Sequence, residues 1–335
     1  MMGPKESAAF IASKAIDVKV NQVGIKKVAA EISRALDSGD FTPNNMMLHS
    51  YPLPTAEDNS SIEWLFVTDA LNFSFWREDD HYSIELHGVC YTGYMALCAA
   101  VTRALEAGIP ITSSKFYANI DIEVVDRIFK SSQGESIPML EERLKVLKES
   151  GKILNEKFDG AFLNCLKKCN NSAQELLNLI ILNFPSFRDS AYLDGTAVTF
   201  YKRAQILVAD IWGLFKGKGV GSFRDIDTIT MFADYRVPQT LIYFGALEYS
   251  EKLNNLLGSS HMFSNGDRYE VEIRGCSIHA VELIREELKQ RAVNISQEKL
   301  PLNSAMIDFF LWEFRRRFAK DLLSIPFHRV RSIYY

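Results

Sequence analysis

The chain has 335 residues, of which 47% are hydrophobic and 12% aromatic, with 38 Lys and Arg set against 42 Asp and Glu for a net charge of −4. Such a length and apolar fraction support a large buried core and exclude a chiefly disordered polypeptide. The lack of a basic excess argues against broad electrostatic binding to duplex nucleic acid, although a small anion held by a local cationic cluster stays open.

The N-terminus, MMGPKES, carries no apolar core of a secretory signal, and the longest apolar run, Leu176 to Phe184, is too short to span a bilayer. A cytoplasmic protein without a membrane anchor is the expectation. Cys90, Cys98, Cys165, Cys169 and Cys276 form no CxxC pair and have no histidine at zinc spacing, so reduced thiols and no metal site are expected.

In chain order, Ser7 is placed to cap a helix over Ala8 to Ile16, and Val23 to Leu36 repeats apolar residues at helical spacing. Gly39 to Asp58, rich in Pro, Asn and Met and containing His49, reads as irregular. Trp64 to Thr68, Asn72 to Trp76, Tyr82 to His87 and Val89 to Tyr91 read as short strands of an antiparallel sheet, bounded at about 62–92. From 93 to 335 the pattern is helical. Tyr94 to Glu106 stops before Gly108-Ile109-Pro110, Pro138 to Phe158 ends at Asp159-Gly160, and Ser172-x-x-Glu175 is a capping box before Leu176 to Asn183. Asp194-Gly195 is a candidate tight hairpin turn. Helices are then expected over Tyr201 to Lys216, Asp225 to Phe232, Pro238 to Phe244, Ser250 to Leu257, Arg268 to Lys289 and Ser304 to Leu323. The fold class expected is mainly α, one domain over 1–335 with a small N-terminal sheet.

One stretch stands apart. Between Thr228 and Gly245 the only charged side chains are Asp234 and Arg236, so Asp234 sits in apolar and aromatic surroundings. A carboxylate there needs a partner to offset its desolvation. It is either a structural ion pair or helix cap, or a working group, and the local pattern does not choose. Lys202 and Arg203 begin a helix, where the dipole disfavours cations unless an anion faces them. Solvated surface cations are the plainer reading of that pair.

Phe200 to Leu207, Met231 to Gln239, Gly266-Asp267-Arg268, Glu272-Ile273-Arg274, Pro326-Phe327-His328-Arg329 and Val67 to Trp76 together resemble the queuosine salvage protein family, over essentially the whole chain. The resemblance implies an N-glycosyl hydrolase that releases queuine from queuosine 5′-phosphate, with no metal or organic cofactor. It implies a fold like that of helix-hairpin-helix DNA glycosylases, in which an aspartate near the end of the helical motif stabilises the sugar cation. Asp234 matches that placement, and Lys202 would keep it ionised, orient it or activate water. Because a 7-deazapurine has carbon where guanine has N7, protonation there cannot assist departure, which leaves more of the barrier to a carboxylate on the sugar side, stabilising the developing cation electrostatically or attacking it covalently.

Phe75, Phe232, Tyr235 and Trp312 are candidates to stack on the base; Asp308, Glu272 and Asp267 to accept from its edge and its aminomethyl-cyclopentenediol arm; and Arg203, Arg236, His49 and His328 to hold the 5′-phosphate. Each of these has a structural alternative, as core aromatic, cap or surface cation. The expected partners are the small-molecule nucleotide and queuine, with no stable nucleic acid and a monomeric state. A non-catalytic binder of tRNA or a modified base, and a DNA-repair glycosylase, are the competing classes.

Overall fold

The computed structural model describes residues 2–42, 52–54, 58–78, 82–291 and 302–335. Its helices and short strands follow in this order: α1 (Pro4–Lys14), β1 (Val18–Val20), α2 (Gln22–Ser38), α3 (Asn59–Ala70), β2 (Ser83–Leu86), β3 (Val89–Thr92), α4 (Tyr94–Glu106), α5 (Ser114–Tyr117), α6 (Ile122–Phe129), α7 (Leu140–Lys157), α8 (Leu163–Leu166) and α9 (Ala173–Asn183). The second half continues with β4 (Ser190–Leu193), β5 (Thr196–Thr199), α10 (Lys202–Leu214), α11 (Val237–Tyr243), β6 (Leu247–Tyr249), α12 (Glu251–Gly258), β7 (Met262–Phe263), α13 (Arg268–Gln290), α14 (Ser304–Arg317) and β8 (Arg329–Val330). The architecture is mainly α, as the hydrophobic spacing predicts. Among the described residues the strands pair only two by two: β1 with β6, β2 with β3 and β4 with β5 antiparallel, and β7 with β8 parallel.

Several boundaries were legible. Helix α4 has the predicted limits, and Ser172 caps α9 by accepting the Glu175 N–H at 3.1 Å. Asp194 and Gly195 both take positive φ, 49° and 77°, in the β4–β5 hairpin, the backbone demanded by a tight turn that matches strand twist.

The N-terminal sheet is corrected. Residues 64–68 lie inside α3, not in a strand, so the sheet expected over 62–92 is only the β2–β3 hairpin. A continuous apolar run has no period of its own when every side is buried, as Leu65, Phe66 and Val67 are. The overlooked signal was Asp58, whose carboxylate accepts the N–H groups of Ser60 and Ser61 at the start of the helix. Residues 72–76 form neither a helix nor a strand of the β2–β3 hairpin, and Ser74 takes a positive φ of 45°. Ser74 donates its N–H to the Tyr335 carbonyl at 2.9 Å, and the Trp76 indole donates to Val330 O at 3.3 Å, so the C-terminal segment holds them.

Two further corrections bear on the site. The helix expected over 225–232 is a single 3₁₀ turn, Ile226–Thr228, followed by extended chain. There the Thr230 N–H donates to the Gln205 side chain (2.8 Å) and the Phe232 N–H to Asp308 (3.0 Å), so neighbouring helices supply the acceptors an α-helix would supply itself. Helix α14 ends at Arg317, short of the expected 323. Ser7, in turn, is no cap. It lies within α1, which begins at Pro4, and its hydroxyl accepts the Thr199 N–H at 3.0 Å.

Helix α13 is the central strut, packing on α1, α2, α11, α14 and β1, while α10 packs on α3 and α9. Helix α2 passes so close to the turn after α11 that a Cβ on Gly24 would lie 2.0 Å from Gly245 O, a contact only glycine permits. No helix among the described residues is long and apolar enough to cross a membrane.

Candidate active site

One cavity of about 420 Å³ collects the residues that the sequence isolates, within the roughly 300–1,000 Å³ usual for small-molecule sites. Helix α10 contributes Lys202, Ile206 and Asp210, spaced at i, i+4 and i+8 and therefore on one face. The extended chain before α11 contributes Phe232, Asp234, Tyr235 and Arg236, and α14 contributes Asp308, Trp312, Arg315 and Arg316. Phe75, Trp76, Tyr94 and Tyr335 complete much of the wall.

Asp234 is at once a cap and a cavity group. Its Oδ1 accepts the N–H groups of Arg236 (2.9 Å) and Val237 (2.8 Å), closing the first turn of α11. Both bonds end on Oδ1, leaving Oδ2 as the oxygen available to the cavity. Burial raises its pKa above the usual carboxylate value, opposed first by Lys202 and then by the two backbone donors. The structural role foreseen for Asp234 is thus taken by Oδ1 alone, and the residue still lines the cavity.

Lys202 is buried, and its ammonium donates to Asn72 O at 3.1 Å. Burial lowers its pKa, while Asp234 and then Asp69 raise it. The dipole objection to cations at this helix start is met by Asp189, whose Oδ2 accepts the Lys202 backbone N–H at 3.1 Å.

Asp308, buried, gives Oδ1 to the Phe232 N–H. Burial and the neighbouring Asp234 hold its carboxyl well above the ordinary range. That shift favours the protonated form of Asp308, which can donate as well as accept. At the cavity rim the Gln239 Oε1 accepts from Arg236 Nη1 and Arg315 Nε, both at 3.2 Å, so two guanidinium groups converge beside Asp234. Among the described residues no group of three or more His, Cys, Asp or Glu could hold a metal ion.

The structure brings Lys202, Asp234, Arg236, Asp308 and all four candidate stacking residues, Phe75, Phe232, Tyr235 and Trp312, onto one cavity. Other candidates are placed elsewhere. Arg203 is buried among backbone carbonyls, donating to Ala70 O and Ser186 O and packing over Phe73 and Phe187, so it is a structural cation and not a phosphate ligand. His328 is fully buried, and its pKa is driven down to about 3 by burial and by Arg274, leaving a neutral ring unfit for a phosphate. Asp267 caps α13 through the Tyr269 N–H at 2.8 Å. Glu272 accepts N–H groups from Ile16, Asp17 and Val18 and pairs with Arg268. His49 lies outside the described residues. Sequence reasoning missed the cavity residues Asp210, Arg315 and Arg316, and also the buried Asp69, which does not line the cavity. Asp210 was detectable as a charge on the otherwise apolar i+8 position of the Lys202 face.

A family model described as queuosine salvage protein matches residues 52–335. The chain belongs to the queuosine salvage protein family. It is 48% identical over its whole length to a mouse protein named queuosine 5′-phosphate N-glycosylase/hydrolase, covering 99% of that protein. Proteins of the same name from Schizosaccharomyces pombe and Sphaerobacter thermophilus are 42% and 40% identical, over 98% and 91% of this chain and 99% and 90% of theirs. The stretches carrying the queuosine salvage resemblance divide by location. Those around Lys202 and Asp234 face the cavity, whereas Glu272, Arg274 and His328 act behind it.

Proposed function

We propose that this chain is an N-glycosyl hydrolase whose cavity binds queuosine 5′-monophosphate and splits it into queuine and ribose 5-phosphate. The observation that carries this reading is that a part-buried carboxylate, Asp234, and a buried cation, Lys202, line one aromatic-walled cavity, close enough for their charges to act on each other. As the bond between the anomeric carbon and the base breaks, its electron pair leaves with the base and positive charge develops on the sugar. Asp234 Oδ2 meets that charge among buried and half-buried walls, where its field is screened less than in bulk water. The oxygen of water then bonds to the anomeric carbon, one of its protons passing to solvent or a nearby base, and the base nitrogen gains a proton.

Lys202 keeps Asp234 ionised, and desolvation that would otherwise protonate the carboxylate makes it a stronger electrostatic partner once ionised. Neutral Asp308 supplies a donor for the departing base. Aromatic walls suit a flat heterocycle, and Arg236, Arg315 and Arg316 at the rim suit a phosphate dianion. Burial and repulsion from Arg236 lower the Arg315 pKa to about 10, an arrangement an anion between the two guanidinium groups would relieve.

The test is release of free queuine from the nucleotide, followed by mass spectrometry. Asp234→Asn keeps an oxygen to cap α11 but loses the charge, and is expected to lower kcat by about 10³-fold, the scale of a lost transition-state electrostatic contact. Undiminished release by this variant would overturn the assignment.

A further inference from the structure

The α10 face that carries Lys202 carries a second ionisable group without a task in the reaction above. Asp210 lies roughly 12 Å further along the helix axis at 1.5 Å per residue, and it lines the same cavity. It is only 3% exposed, and its Oδ1 has no hydrogen-bond partner. The groups facing it are Asp69 from α3, Tyr94 from α4, Asp308 from α14 and Lys202 on its own helix. Three carboxyl groups thus share one lysine, and that lysine's strongest partner is a fourth carboxylate, Asp234. Asp69 also has an oxygen, Oδ2, without a partner.

The Tyr94 hydroxyl is the hydrogen-bonding neighbour of this carboxyl, and ionising the acid here would cost stability unless a cation arrived to pair with it. Burial, then Asp69, hold the Asp210 carboxyl well above its ordinary value in the empty cavity. A cation would reverse this and make the ionised form the favoured one. Queuosine 5′-phosphate offers one such cation, the protonated secondary amine of its C7 arm. The guanidine-like edge of the base is neutral, and the phosphate is negative.

We propose that Asp210, backed by Asp69, is a specificity-determining residue that binds the ammonium of the arm and so selects queuine over an armless deazaguanine. This rests on the cavity being the queuosine phosphate site. The same cavity carries both the arginines Arg236, Arg315 and Arg316 and the acid Asp210, charges of both signs for a substrate that has an anionic and a cationic group.

The experiment measures, by calorimetry, binding of free queuine, of 7-deazaguanine, and of a queuine analogue with an ether oxygen in place of the amine. The wild-type protein is expected to bind queuine on the order of 30-fold more tightly than the ether analogue, the ~2 kcal/mol of a charge-assisted hydrogen bond. Asp210→Asn is expected to abolish that preference while binding 7-deazaguanine within about threefold of wild type, a spread of under 1 kcal/mol. The proposal is overturned if the wild-type protein does not distinguish amine from ether, a result independent of how any variant folds. It is equally overturned if Asp210→Asn weakens queuine and 7-deazaguanine alike, which would make Asp210 a reader of the base or a structural residue. Queuine release from the nucleotide by wild-type protein is scored separately, so failure of the hydrolase reading and failure of the arm reading give different results.

Discussion

Asp189 and Arg274 form a buried two-pronged ion pair, Nη1 to Oδ1 at 2.9 Å and Nη2 to Oδ2 at 2.5 Å, and each partner holds one half of the active site. Asp189 accepts the backbone N–H of Lys202, and Arg274 donates through Nε to Ala233 O, the carbonyl preceding Asp234, at 3.0 Å. The pair thus ties the backbone at Lys202 to the backbone just before Asp234 while touching neither of their charged groups. Glu270 adds a second carboxylate to Arg274 at 3.3 Å.

Breaking that pair should uncouple the two halves. Asp189→Asn is expected to cost about 3–5 kcal/mol of unfolding free energy, because it leaves Arg274 short of a partner in the interior. Urea titration measures the loss. In folded Asp189→Asn protein kcat should fall more than KM changes, since position and not affinity is disturbed. A neutral effect on both would remove the pair from the account of the site.

Lys202 should govern the acid limb of the pH–rate profile. Burial raises the Asp234 pKa and Lys202 opposes the rise, so removing the ammonium lets the pKa climb further. Lys202→Met should therefore move the acid limb of kcat to higher pH by about one unit, the lower end of what one nearby charge does. A variant that is slower with an unmoved limb would show that Lys202 acts on something other than the charge of Asp234.

The rim arginines should separate nucleotide from nucleoside. Arg315→Ala is expected to raise KM for queuosine 5′-phosphate by about tenfold, close to 1.4 kcal/mol for a partly exposed charge-assisted contact. KM for the unphosphorylated nucleoside should change little. Equal effects on both would place the phosphate elsewhere.

His328 predicts a loss of stability in acid. Its folded pKa lies near 3, below the ordinary value of 6.5. Between these values the unfolded chain binds the proton and the folded protein does not, so stability falls as pH drops from 6.5 towards 3. By linkage this one group removes about 3 kcal/mol between pH 7 and pH 4. His328→Phe should flatten that part of the profile in urea titrations at the two pH values. An unchanged slope would mean that the ring is not neutral in the folded state.

Asp234 and Arg236 could be picked out because charge is otherwise missing from Thr228 to Gly245, and chemistry concentrated at one point of an apolar stretch is visible in one dimension. The helical character of the chain, the α4 limits, the Ser172 cap and the Asp194-Gly195 turn were legible for a similar reason, being set by residues close in sequence. Which way each charge faces was not. Lys202 and Arg203 are neighbours about 100° apart on one helix, yet one meets the cavity and the other meets the carbonyls of Ala70 and Ser186. Asp308 and Glu272 are both buried acids, but one opens on the cavity and the other caps the chain at Ile16 to Val18.

The sequence by itself determined a mainly helical protein of the queuosine salvage family and the residue types that its chemistry needs. Only the tertiary structure decided that Asp210, Arg315 and Arg316 join the site and that Arg203 and His328 leave it. A side chain's role depends on which groups from distant segments share its low-dielectric space. Those neighbours are chosen by packing of helices far apart in sequence, which no local pattern records.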